Sequence, residues 1–157
     1  MFDKELADVD ALLRSWSCYT SLATCDREGQ VDVAPVGSAY LPSRGTIACL
    51  RGPLARTRAN LAANPDAVFF VSNVSRTRML KLFLTGSFGA PYGYRIHARF
   101  REERPLDEAE KSRLFRSRLG CLARGKGARR IGGLLHQVLL FDVREVREVV
   151  VPGGTAQ

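Results

Sequence analysis

The chain carries a cluster of basic, hydroxyl and amide side chains that could bind a phosphate. Arg56, Thr57, Arg58 and Asn60 stand at the start of a predicted helix, Leu54 to Ala63. The first turn of a helix presents unpaired backbone N–H groups and the positive end of the helix dipole, and both attract anions. Arginine adds a planar fork that can donate two parallel hydrogen bonds to one phosphate. The same residues also fit an ordinary basic helix surface, so the choice between the two interpretations depends on the elements around the helix.

The segments around this helix predict a small β-sheet. The predicted strands form a hairpin over residues 21–37 with an extension to residue 41, and then occupy residues 46–51, 67–72, 94–102 and 134–151, the last as one or two strands. Alternation of apolar and polar residues is strictest over 94–102, where Tyr94, Ile96 and Ala98 share one face. The chain therefore places three strands before the helix and the remaining strands after it.

Helical periodicity and capping signals predict two further helices. They span residues 3–15 and 108 to about 122, and Asp107 with Glu110 forms a capping box for the second. Residues 75–93 fit either a short helix followed by a loop or a strand, and the pattern leaves both open. By size, residues 1–152 are expected to form a single domain, with 153–157 as a flexible tail.

The ordered set of motifs resembles the FMN-binding split-barrel family, which includes the pyridoxamine 5′-phosphate oxidases. The resemblance covers about residues 12–74. It is carried by Ala23-Thr24 with Gly29, by Ala34-Pro35-Val36-Gly37, and by Arg56-Thr57-Arg58-x-Asn60-Leu61-x-x-Asn64-Pro65. It implies a mainly β, α+β fold: a small six-stranded antiparallel split barrel with flanking helices. It also implies a homodimer, with the cofactor sites at the subunit interface.

The resemblance further implies flavin mononucleotide (FMN) as the cofactor and names the residues that would bind it. By position, Arg56 and Thr57 are expected at the phosphate, with Arg58 and Asn60 beside them. The residues expected along the ribityl chain and the ring are Val36, Gly37, Ser38, Leu50 and Arg51. The implied activity is hydride or electron transfer through the flavin to or from a small molecule. No catalytic side chain can be assigned.

The chain departs from the true pyridoxamine phosphate oxidases at its end. Those enzymes end in a segment that contains Arg and Trp, whereas this chain ends Pro-Gly-Gly-Thr-Ala-Gln and has only Trp16. Oxidation of pyridoxamine phosphate is therefore not expected. The alternatives are the same fold with the deazaflavin F420 or haem, or a cofactor-free binding module. Haem would need an axial ligand such as His136 or His97, although both are better explained as ordinary strand residues.

The net charge of +8 raises the question of a nucleic-acid partner. The densest basic cluster lies in residues 113–130, with a single aromatic residue and no recognisable nucleic-acid motif. A solvated basic face is the favoured explanation, and nucleic acid is not expected as a partner. The chain has no apolar run long enough to cross a membrane and no signal peptide, so a cytoplasmic location is expected.

The four cysteines do not form a metal-binding pattern. They include no C-x-x-C pair, and the chain has only two histidines, so no metal site is expected. Cys18 and Cys25 lie an odd number of positions apart on one predicted strand. They should face opposite sides of the sheet, which argues against a disulfide between them.

Overall fold

The computed structural model describes residues 3–15, 17–73, 75–86, 91–112 and 136–150. Three complete helices and seven strands are defined in these ranges, and residues 108–112, the described start of the helix predicted from residue 108, are also helical. The complete elements are α1 (Asp3–Arg14), β1 (Cys18–Cys25), β2 (Val31–Pro35), β3 (Tyr40–Ser43), β4 (Thr46–Leu50), α2 (Ala55–Ala63), β5 (Asp66–Asn73), α3 (Arg76–Thr85), β6 (Gly93–Pro105) and β7 (Gln137–Val149). The expectations for Trp16, the basic cluster in 113–130 and the tail 153–157 lie outside the described residues.

All seven strands join one antiparallel sheet in the order β2-β1-β5-β6-β7-β4-β3. The prediction of a mainly β, α+β fold with an antiparallel sheet and flanking helices is confirmed. The prediction of six strands is wrong, because the expected second strand breaks after Pro35. The Val36 N–H donates to the Thr20 carbonyl of β1, and the Ala39 N–H donates back to the Val36 carbonyl in a turn. Beyond this turn the chain pairs with β4 instead of β1, so one predicted strand becomes β2 and β3, at opposite edges of the sheet.

The core lies on the inner face of the sheet. Its largest fully buried side chains include Phe69 of β5 and Phe141 of β7, whose rings meet edge to face with 5.0 Å between their centres. Val9 and Leu13 of α1 belong to the same core cluster, so the amphipathic pattern of this helix seals the inner face. The predicted alternation along β6 is present, since Tyr94, Ile96 and Ala98 are buried, whereas Arg95 is exposed and His97 is half-buried.

Other predicted elements agree with the structure or are settled by it. The open choice for residues 75–93 is decided in favour of a helix, α3. The capping box before residue 108 is present, because the Glu110 N–H donates to Asp107 Oδ1 at 2.7 Å and the Asp107 N–H to Glu110 Oε2 at 3.4 Å. Cys18, Cys25 and Cys49 are free thiols. No helix within the described ranges has the length and apolarity to span a membrane.

Candidate functional site

Helix α2 begins without a side-chain cap. Its N-cap residue is Leu54, which cannot accept a hydrogen bond through its side chain, and the first turn holds no acidic residue. Most helices satisfy their first N–H groups with a Ser, Thr, Asp or Asn at this position. The first turn of α2 therefore keeps N–H donors and the positive end of the dipole available to an anion.

A cleft of about 410 Å³ lies between this helix start and the connection from β2 to β3. Its volume falls within the range of about 300–1,000 Å³ that is usual for small-molecule sites. Six of the nine cofactor-binding residues expected from the sequence line it: Val36, Gly37, Ser38, Leu50, Arg56 and Thr57. The structure thus brings together the start of α2 and the expected strand residues around one space.

The wall of the cleft is held by side-chain hydrogen bonds. The Leu50 N–H at the end of β4 donates to Ser38 Oγ at 3.0 Å, which fixes the turn between β2 and β3 against β4. Two residues further on, the Tyr40 hydroxyl donates to Glu110 Oε1 at 2.9 Å, and Arg104 donates to both oxygens of the same carboxylate. The hydrogen bonds from Arg104 lower the pKa of Glu110, and burial together with Glu110 raises the pKa of Tyr40.

Arg56 and Thr57 meet the cleft in different ways. The Arg56 side chain is exposed, and its closest partner is Gln30 Oε1 at 3.4 Å. Thr57 is only 1% exposed and donates its hydroxyl to Asp32 Oδ2 at 3.4 Å. Asp32 also lines the cleft and was missed as a site residue. A signal existed, because its alternation with Ala34 and Val36 places it on their side of β2.

The other three expected residues do not line the cleft. Arg51 Nη1 and Arg58 Nε each lie 2.9 Å from an oxygen of Glu103, on β6, and Arg51 Nη1 also donates to Gln137 Oε1. Arg58 faces a second cleft of about 530 Å³ on another side of α2. Asn60 is 4% exposed and donates to Thr24 Oγ1 at 3.2 Å. No local sequence signal could reveal Glu103 as the shared partner, since it lies more than forty residues away along the chain.

The two histidines lie away from the cleft. His136 is exposed just before β7, and His97 is half-buried on β6. Neither lines the space at the start of α2. Within the ranges given above, no group of three or more His, Cys, Asp or Glu side chains is arranged to hold a metal ion.

No protein-family model and no curated protein matches the sequence significantly, but solved structures do match the fold. An FMN-binding protein from Syntrophomonas wolfei subsp. wolfei has a TM-score of 0.66 and 22% identity, over 96% of this chain and 90% of its own. An F420 reductase has a TM-score of 0.56 and 14% identity, over 88% and 94%. The haem storage protein HutZ of Vibrio cholerae has a TM-score of 0.50 and 17% identity, over 94% of both chains. At sequence identities this low, the matches indicate a shared fold and do not indicate a shared activity. On these matches and the sheet described above, the chain has the FMN-binding split-barrel fold.

Proposed function

We propose that this protein is a flavoprotein that binds FMN in the cleft at the start of α2 and acts as an oxidoreductase. The observation that carries the proposal is the cleft itself. It joins an uncapped helix start, the exposed Arg56 and the turn at Gly37 and Ser38 in one space. The protein from S. wolfei, which binds FMN, shares the fold.

The lining residues suit the parts of FMN. The phosphate would lie at the first turn of α2, where backbone N–H groups and the Arg56 fork can donate hydrogen bonds to it. The ribityl chain and the ring would run along Val36, Gly37, Ser38 and Leu50. Gly37 has open space where a Cβ atom would stand, so a ligand can approach the backbone closely there. When bound, FMN would supply hydride or electron transfer with a small molecule.

Two polar side chains of the cleft would orient the ligand. Ser38 Oγ accepts a hydrogen bond from the Leu50 N–H, so its own proton is available to a ligand acceptor. Asp32 is the only acidic side chain among the described lining residues, and it can accept hydrogen bonds from ribityl hydroxyl groups. In this proposal Arg51, Arg58 and Asn60 act indirectly, because their bonds to Glu103 and Thr24 hold α2 against the sheet.

We also propose that the protein is a homodimer whose sites are completed by the second subunit. Support comes from α3, where Leu80, Phe83 and Leu84 are 60%, 80% and 77% exposed. They stand at i, i+3 and i+4, so they form one apolar stripe on the helix surface. Exposed apolar stripes of this kind are typical of surfaces that another protein covers.

The proposal is tested by the absorption spectrum of the purified protein and by mass spectrometry of whatever is released on denaturation. A flavin spectrum with released FMN is the expected result. A deazaflavin spectrum would favour F420, and a Soret band would favour haem, the two alternatives that occur among proteins of this fold. A colourless protein that also fails to bind added FMN would refute the proposal and favour a cofactor-free binding module.

A further inference from the structure

A third cavity lies on the outer face of the sheet, away from the two clefts at α2. It has a volume of about 430 Å³, and we call it the His97 cavity. Its lining includes Ala23 of β1, Val31 of β2, Val68 of β5, His97 of β6 and Arg144 of β7. None of the residues that line this cavity lines the cleft at α2. The two spaces are therefore separate.

A β-bulge directs Arg144 into this cavity. In the pairing of β6 with β7, His97 lies opposite Glu145 and Ala98 lies opposite Val143, which leaves Arg144 as an extra residue between them. Val143 packs against the core, whereas Arg144 lines the cavity. A bulge of this kind re-aims a side chain and is frequent next to functional sites.

The arginine at the bulge has no carboxylate partner. Two acidic residues are relevant here: Asp66 belongs to the cavity lining, and Glu145 follows Arg144 on β7. Each is paired with an arginine outside the lining. Asp66 binds Arg99 at 3.1 Å, and Glu145 binds Arg147 at 2.7 Å. Within the described part of the chain, Arg144 makes neither an ion pair nor a hydrogen bond. Among the described residues, the cavity lining therefore holds one arginine without an ion-pair partner, together with one carboxylate that is already paired with Arg99.

Three of the lining residues form a row across the outer face of the sheet. Ala23, Val68 and His97 lie directly opposite one another across three neighbouring strands, so they form one row on the outer face. Ala23 has a short side chain, and Val31 of the neighbouring strand also lines the cavity. His97 is half-buried, and its ring makes no hydrogen bond within the described ranges. The row of Ala23, Val68 and His97 thus offers a surface on which a planar ligand could lie.

We propose that the His97 cavity is a binding site for a small aromatic carboxylate. The guanidinium of Arg144 would donate two hydrogen bonds to the carboxylate, the geometry for which the arginine fork is suited. The aromatic ring would lie over Ala23 and Val68, and His97 would border it. An apolar lining with a few placed polar groups is the usual composition of a small-molecule site. This site is independent of the flavin proposal.

The test is a titration of the full-length ¹⁵N-labelled protein with 2-naphthoate, followed by NMR. The neutral isostere 2-naphthamide is titrated in parallel. We expect naphthoate to shift the amide signals of Ala23, Val68 and His97, and naphthamide to bind at least about tenfold more weakly. Arg144→Gln should lower the naphthoate affinity about tenfold. Arg95→Gln is the matched control, because Arg95 lies on the same face of β6 but outside the cavity lining. It should leave the affinity unchanged.

Three results would overturn the proposal. They are equal binding of naphthoate and naphthamide, an equal loss in the Arg95 and Arg144 variants, and shifts that map to the cleft at α2 or to no defined place. The titration is repeated in the presence of saturating FMN. Unchanged naphthoate shifts would support two separate sites, and competition between the two ligands would contradict them. Since the readout needs no flavin, its outcome does not depend on whether FMN is the cofactor.

Discussion

Replacing Arg56 with alanine should weaken FMN binding about tenfold to hundredfold. The Arg56 guanidinium is exposed at the cleft, and its only described contact is the long one to Gln30 at 3.4 Å. It is therefore free to bind a phosphate. A hydrogen bond to a charged group contributes about 1.5–3 kcal/mol, and each 1.4 kcal/mol corresponds to a factor of about ten in affinity.

Arg58→Ala provides a matched comparison, because it removes the same charge from the same helix. The Arg58 Nε atom lies 2.9 Å from Glu103, and the side chain faces away from the cleft. Its loss should change FMN affinity by less than about threefold, because Arg58 would act on the phosphate only through long-range electrostatic attraction, which salt screens. Arg58 is about half exposed and Glu103 keeps Arg51 as a partner, so the loss of this pair should lower the free energy of unfolding by less than about 1 kcal/mol.

The assay is quenching of flavin fluorescence, titrated at low and at physiological ionic strength. Urea unfolding of both variants checks that α2 remains folded. The reasoning is refuted if Arg58→Ala loses as much affinity as Arg56→Ala, because then the ion pair with Glu103 does not keep Arg58 from the phosphate. An unchanged affinity in Arg56→Ala would remove the start of α2 as the phosphate site.

Three further predictions concern stability and assembly. Glu110→Gln should lower the free energy of unfolding by about 1.5–3 kcal/mol at pH 7, because Arg104 loses its charged partner. Since the folded-state pKa of Glu110 is lowered from 4.5, this contribution is present above that pH and is lost as the pH falls further, so urea unfolding should show the variant and the wild type converging in acid. Phe69→Ala should lower the free energy of unfolding by about 3–5 kcal/mol, because the ring is fully buried, and a smaller urea effect would mean that the core collapses around the cavity. Glutamates in place of Phe83 and Leu84 should yield a monomer in sedimentation analysis, whereas a persistent dimer would place the interface elsewhere.

The fold was largely predictable where the signal is local. The alternation along β6 and the periodicity of α1 follow from which side chains face the core, and both are visible in the sequence. The break between β2 and β3 was not visible. Residues 36–39 are small or apolar and continue the pattern of a strand. The strand ends here because the residues before this segment pair with β1 and the residues after it pair with β4. This pairing depends on the arrangement of the whole sheet and not on the local sequence.

The same distinction holds for the candidate site. The position of Arg56 and Thr57 in a helix could be predicted, because Asn64-Pro65 marks its end and the family motif marks its place, although the helix start carries no cap residue. The sharing of Glu103 by Arg51 and Arg58 could not, since it joins the α2 region to β6 across the fold. The bulge at Arg144 was equally hidden. The extra residue at the bulge on β7 leaves no mark on the local sequence pattern, yet it determines which side chains of β7 face the outer surface.

The pairing of β4 with β7 has a consequence for the synthesis of the protein. Every described residue that lines the cleft at α2 belongs to the first third or so of the chain. Yet β4, which carries Leu50, pairs with β7, the last described strand. Directly after β4, the Arg51 N–H donates to the Gln137 carbonyl of β7 at 2.8 Å. A nascent chain that has already exposed all the described lining residues to water still lacks β7, the strand that holds β4 and Leu50 in place. In the proposed function, FMN would therefore bind only after synthesis is complete, and a ligand that binds only the finished sheet would stabilise the native state against partly folded chains.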